Sequence, residues 1–206
     1  MSDGTYSYFD NLNFYAPQPY LDSELVRQLG FIPGLQEFLT LRQVHALEHA
    51  TVWILSNLGQ NHNLESQDNE TIGGLSTDKG FYLYGEVNSL QLKRAVHLAL
   101  NRLQLGEWKL AIHPRCGTNA SVAMLLTAGM GIAAHLLLPR GPIEQIVGLG
   151  VATTIANHVA PEIGMSVQRY ITTAIPFNLK IQEIVKTVDM WERPAHFVRL
   201  QWQNSQ

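Results

Sequence analysis

Apolar residues recur at helical spacing in two short stretches of this chain and then run almost unbroken through a third. Val44, Leu47, Thr51, Ile54, Leu55 and Leu58 share one face of a 3.6-residue repeat, and Gly59 follows the last of them. That spacing predicts a helix over residues 38–58, with Thr40 and Gln43 read as a capping box. Asn88 or Ser89 caps a second helix, striped by Leu92, Val96, Ala99 and Leu103 and stopped by Gly106. A short helix is expected from Ser23 to Leu29, ended by Gly30, with a turn at Pro33-Gly34. The aromatic run over residues 80–87 predicts a strand, and the looser alternation of Trp108, Leu110 and Ile112 predicts another over 107–113. Residues 59–79 read as a polar surface loop, with Asp78 and Lys79 as turn residues. Residues 168–174 read as extended, 181–188 as strand or helix, and the tail from Trp191 as irregular and exposed. The first 22 residues carry Tyr6, Tyr8, Phe9, Phe14, Tyr15 and Tyr20 without periodicity and are expected to form an arm docked on the rest.

The third stretch changes the class of protein. From Gly117 to Pro139, and again from Gln145 to Pro161, no Asp, Glu, Lys or Arg occurs. The bilayer core needs roughly 20 apolar residues as helix. Arg140-Gly141-Pro142 makes a turn between the two runs. Ala120, Ala123, Ala128, Gly129, Gly131, Ala133 and Ala134, then Gly148, Gly150, Ala152 and Ala156, supply small faces that let membrane helices approach closely. The expectation is an α+β head with an inserted two-helix transmembrane hairpin. Its parts are an arm and short helix (1–37), a head (38–116), the hairpin (117–161) and the rest of the head with a tail (162–206). The alternative is a pair of buried core helices, which Thr127, His135, Asn157 and His158 favour because polar groups in lipid are costly.

Composition sharpens this. Charged residues make up 15% of the 206-residue chain, against roughly 25% in soluble domains. The net charge of −3 with mixed signs excludes a nucleic-acid footprint. A single cysteine, Cys116, rules out an intrachain disulfide. The start Met1-Ser2-Asp3-Gly4, with its first basic residue at Arg27, lacks the pattern of a secretory signal. Arg115, Arg169 and Lys180 lie on the head side of the hairpin and only Arg140 at its turn, so the head is expected in the cytoplasm. Membrane lipid is the expected partner, with a membrane protein complex as a further one.

Candidate chemistry gathers in two strings. His45-Ala46-Leu47-Glu48-His49 is an H-x-x-E-H pattern. At 100° per residue its three polar side chains form one stripe, about 120° from the centre of the apolar face. Two histidines at i and i+4 bind one Zn²⁺, and a neighbouring glutamate ligates or serves as base. The bland alternative is histidines hydrogen-bonded in a polar pocket. The second string, His113-Pro114-Arg115-Cys116-Gly117-Thr118-Asn119, places an imidazole and a thiol three residues apart, a set that suits zinc or iron. It is also explained as a rigid turn at the head of the first membrane helix. His62, His97 and His196 read as solvated or packing histidines.

Together with STDKGFYLYGEV (76–87) and QRYITT (168–173), the strings HALEHAT (45–51) and AIHPRCGTN (111–119) resemble an uncharacterised bacterial membrane family. It is common in cyanobacteria and known only as a domain of unknown function. A more distant bacterial membrane family pairs similar H-x-x-E-H and HPRCGT strings ahead of membrane helices. The resemblance spans roughly residues 40–175. It implies the hairpin, and it implies that His45, Glu48, His49, His113 and Cys116 belong to one site; it implies no activity.

Three functions remain open at this level. A closed zinc site of His45, His49, His113 and Cys116 would suit a protein that assembles or maintains a membrane complex. Zinc with an open position, and Glu48 as general base, would make a peptidase-like hydrolase. Without metal, the chain would be an anchored adaptor.

Overall fold

The computed structural model describes residues 21–58, 71–139 and 141–204. The expected arm, except its last two residues, the first part of the polar loop with His62, and Arg140 lie outside the described residues. Two helices open the fold, α1 (Leu21–Leu29) and α2 (Leu35–Leu58). A hairpin of β1 (Gly73–Thr77) and β2 (Gly80–Tyr84) follows, then α3 (Ser89–Gln104). Next come α4 (Gly117–Leu137), α5 (Pro142–Val167), β3 (Leu179–Val188) and β4 (Pro194–Trp202). The four strands form one antiparallel sheet in the order β1-β2-β4-β3.

The head is built by α2 and α3 packing on one face of that sheet. Alternation along β2 sends Phe81 and Leu83 inward, both fully buried. They meet Val44, Leu47, Leu55, Leu92, Val96, Leu103 and Val198 in a single core. On the other face Tyr82 pairs across strands with Phe197, ring centroids 4.7 Å apart. Asp78-Lys79 forms the tight β1–β2 turn, as expected. Gly80 must remain glycine. Its φ is +138°, and a Cβ there would meet the Val198 carbonyl oxygen at 2.0 Å.

Several expectations are corrected. Helix α2 begins at Leu35, straight after Gly34, so Thr40 and Gln43 are interior and form no capping box. Thr40 instead donates to the Gln36 carbonyl, and buried Gln43 bonds Asn178 in both directions. The strand expected at 107–113 is a 3₁₀ turn at Trp108–Ala111, because Gly106, at φ +97°, turns the chain back beneath α2. The extended segment expected at 168–174 is a π turn, Gln168–Thr172. Residues 73–77, read as loop, are β1. The tail is β4, the inner strand between β2 and β3, with Val198 fully buried. His196 is a packing histidine, bonded to the Ser89 hydroxyl at 3.0 Å.

The uncharged runs form two antiparallel helices, α4 and α5. Gly148, Ala152, Ala156, Ala160 and Gly164 make a stripe of small residues, four apart, that α5 buries. Against it lie Ala134 and Leu138 at one end of α4 and Asn119 at the other. His135 and Gln145 join the helices near the turn. Gly150, expected in the packing face, points outward. Helix α4 buries none of its residues, so it is not the core helix of the alternative reading. Leu125, Ile132, Leu136, Ile146, Val147 and Val151 remain exposed. Among the described residues, only α4 is long and apolar enough to cross a membrane; α5, with Glu144 and Glu162, falls short.

Candidate metal centre

Helix α2 turns His45 and His49 towards the segments before α4 and after α5, and Glu48 towards β1. Two backbone carbonyls orient the imidazoles. His45 donates from Nδ1 to the Thr172 oxygen at 3.0 Å, and His49 donates from Nδ1 to the Ala111 oxygen at 2.7 Å. A carbonyl only accepts, so both rings donate from Nδ1, which leaves Nε2 as the nitrogen that can ligate. This is how metal-binding histidines are commonly held. The rings lie 4.3 Å apart.

Cys116 meets them from the other side. It is the N-cap of α4, and the Thr118 N–H donates to its sulfur at 3.3 Å. His45 Nε2 lies 3.2 Å from the same sulfur. Burial raises the thiol pKa, but bonding and charge from the His49 imidazole, with the Thr118 contacts, outweigh it and bring the pKa below the ordinary cysteine value. One ligand atom from each of His45, His49 and Cys116 lies within 4.8 Å of the others. Tetrahedral zinc with Zn–N near 2.0 Å and Zn–S near 2.3 Å sets ligands about 3.5 Å apart. The donor set therefore fits a metal ion after small adjustments, and these three residues can hold one.

His113 stands behind the trio. Its ring is 5.6 Å from that of His49 and 4.7 Å from that of Trp53. Its Nδ1 accepts the Arg115 N–H at 3.3 Å, which puts its proton on Nε2, the opposite arrangement to His45 and His49. Gln168, fully buried, locks this segment. It accepts from the His113 N–H and donates to the His113 carbonyl and to Asn119.

Glu48 is buried and faces β1. The Ser76 hydroxyl donates to its Oε2 at 2.6 Å. The carboxylate also packs on Gly74, where a Cβ would fall 2.2 Å from Oε1. Burial pushes its carboxyl pKa up, against the Ser76 bond and the charge of His45. The trio and Glu48 line one cavity of about 500 Å³, together with Phe38, Leu41, Arg42, Leu75 and Arg115. Gly74 and the two orienting carbonyls carried no signal in the sequence, and Ser76 and Gln168 stood only in the strings 76–87 and 168–173 with no role assigned, because backbone groups and single polar residues have no spacing to detect.

A model of a family described as a domain of unknown function, DUF6391, matches residues 40–184. The chain belongs to the DUF6391 family. This DUF6391 protein is also 47% identical to an uncharacterised protein of Picosynechococcus over 202 residues, 98% of each chain. No solved structure matches it. The matched span holds all five residues of the two strings, the α4–α5 pair and most of the sheet's first three strands.

Proposed function

We propose that this DUF6391 protein is a membrane-anchored zinc hydrolase. In this reading the α4–α5 hairpin enters the bilayer and the head stays in the cytoplasm, on the side of Arg115, Arg169 and Lys180. His45, His49 and Cys116 would hold the zinc as three protein ligands, the number that a catalytic site has. Bound zinc supplies a Lewis acid that lowers the pKa of water. Glu48, in the same cavity wall, would serve as the general base, and a peptide or ester at the membrane surface is the substrate class.

The observation that carries this reading is the shared tautomer of His45 and His49, each tied through Nδ1 to a carbonyl. It leaves Nε2 of each histidine for a metal, with a ligand atom of each and the Cys116 thiol within 4.8 Å of one another, and Glu48 lines the same cavity. A closed site, suited to membrane-complex assembly, needs a fourth ligand. His113 is turned the other way by Arg115, and Glu48 is held by Ser76, so the open arrangement is favoured.

The test is metal analysis of the full-length protein purified in detergent, with a panel of ester and peptide substrates. Wild type is expected to hold one zinc per chain and to hydrolyse a member of the panel. Glu48→Gln should retain zinc and lose about 100-fold or more in rate, the usual worth of a general base. Zinc-free wild type would sink the metal reading. Zinc lost with Glu48→Gln would make Glu48 a ligand, and zinc without hydrolysis would return the site to the assembly role.

A further inference from the structure

We infer that the cavity opens at the membrane surface and takes an anionic phospholipid, its acyl chains against Phe38 and Leu41 and its headgroup at Arg42. This rests on the membrane reading of the α4–α5 hairpin, but not on the zinc.

The first ground is position. The cavity wall includes Gly117 and Thr118, the first turn of α4, and Thr172, the last residue of the turn that follows α5. It therefore sits at the foot of the hairpin. Helix α4 has 21 residues, about 31 Å at 1.5 Å per residue, which the hydrocarbon core of roughly 30 Å uses up. No helix length is left to lift the head clear, so the cavity lies within about one helical turn, 5.4 Å, of the interface.

The second ground is the rim. Phe38 and Leu41 line the cavity and are 50% and 39% exposed. Phe31, Tyr170 and Ile171 are exposed as well, at 79%, 54% and 55%. Arg42 ties α2 to the segment after α5 by donating to the carbonyls of Tyr170 and Thr173. Large apolar side chains exposed at a cavity rim mark an interaction site. Beside the foot of a membrane hairpin, lipid is what covers it.

The third ground is charge. Arg42 lines the cavity with its guanidinium carbon 5.8 Å from the centre of the Phe38 ring. Its Nε–H is buried with no hydrogen-bond partner among the described residues. A buried donor left unpaired is costly, and a phosphate oxygen is the acceptor that suits a guanidinium best. An acyl chain beside Phe38 carries its phosphate to the same guanidinium where Arg42 lines the cavity.

The test reads quenching of an added tryptophan by brominated lipids in vesicles. Phe38→Trp and Leu125→Trp are made separately in the full chain, and each signal is taken as the difference from wild type. Leu125→Trp, halfway along α4, should be quenched by bromines deep in the acyl chain. Phe38→Trp should be quenched by bromines close to the headgroup, and about twofold more in phosphatidylglycerol than in phosphatidylcholine vesicles, because the guanidinium selects the anionic head. Adding Arg42→Gln should erase that preference. Leu41→Trp repeats the test should Phe38→Trp fail to fold. Quenching at Leu125→Trp but not at Phe38→Trp overturns the inference and leaves the anchor intact, with the cavity facing water for a soluble substrate. Quenching at neither overturns the anchor and this inference together. Equal quenching in both lipids overturns the anionic ligand.

Discussion

Gly74→Ala is the sharpest probe of how Glu48 is held. The added Cβ would fall 2.2 Å from Glu48 Oε1, 2.5 Å from Cδ and 2.6 Å from Cγ. Ordinary contact begins near 3.5 Å, so the carboxylate must retreat by about 1 Å or more. The backbone adds no strain, because Gly74 does not need a positive φ. Retreat breaks the 2.6 Å bond from Ser76, a loss of about 1–3 kcal/mol for a buried polar group, and crowding adds about 1 kcal/mol. Reduced freedom of the unfolded chain returns about 0.5 kcal/mol. The net loss is about 1.5–3.5 kcal/mol, or a melting point lower by about 3–14 °C in a chain of this size. Gly73→Ala is the control, since a Cβ there meets nothing within 4 Å. Thermal unfolding in detergent should separate the two variants by several degrees, while zinc content is equal in both. Hydrolysis should fall only in Gly74→Ala. Equal melting points for the two would refute the placement of Glu48 against β1.

Other substitutions probe the frame around the site. Ala156, fully buried in the small-residue stripe of α5, should not accept Leu: Ala156→Leu is expected to cost about 1–3 kcal/mol by overpacking, seen as earlier proteolysis between α4 and α5. Gly164→Ala puts a Cβ 2.3 Å from Asn119 Oδ1. It should loosen the Asn119–Gln168–His113 network and raise amide exchange at His113, with zinc retained. Asp189 gives a pH signature. Burial alone would raise its pKa. The backbone and side-chain donors of Arg193, the Tyr84 hydroxyl and the Trp191 N–H outweigh burial and hold it well below the usual carboxylate range. Its stabilising contribution is therefore complete above the unfolded value near pH 3.9 and is lost as pH falls through that value towards the folded one. Asp189→Asn should melt lower than wild type at neutral pH and close the gap below about pH 4; a gap independent of pH would contradict the assignment.

Periodicity made the frame readable. The α2 and α3 stripes, the Asp78-Lys79 turn and the two uncharged helices are repeats or runs, and each appears where the pattern put it. What failed depends on partners distant in sequence. The tail looked irregular because β4 lies between β2 and β3 and buries residues 195–198 on both faces, Phe197 beside Tyr82, so the alternation with exposed Arg199 and Gln201 begins only beyond them. Gln168 and Thr172 bend into a π turn because His113, Asn119 and His45 claim their polar groups, and no local propensity encodes that. The site was legible as residue types at helical spacing in His45, Glu48 and His49, and as a cap in Cys116. The tautomers that separate His113 from the other histidines come from the Arg115 N–H and from two carbonyls, which a sequence does not display.

Cobalt(II) loading tests the metal centre directly, because the ion reports both its ligands and its coordination number by absorption. Full-length protein in detergent should take up one cobalt. It should show a thiolate-to-cobalt band in the near ultraviolet and strong visible bands of a four-coordinate ion. Cys116→Ser should abolish the ultraviolet band, and His45→Ala or His49→Ala should weaken binding at least about tenfold. His113→Gln should leave the spectrum unchanged. Cobalt that binds without a thiolate band, or a spectrum lost with His113→Gln and kept without His45, would contradict the site described.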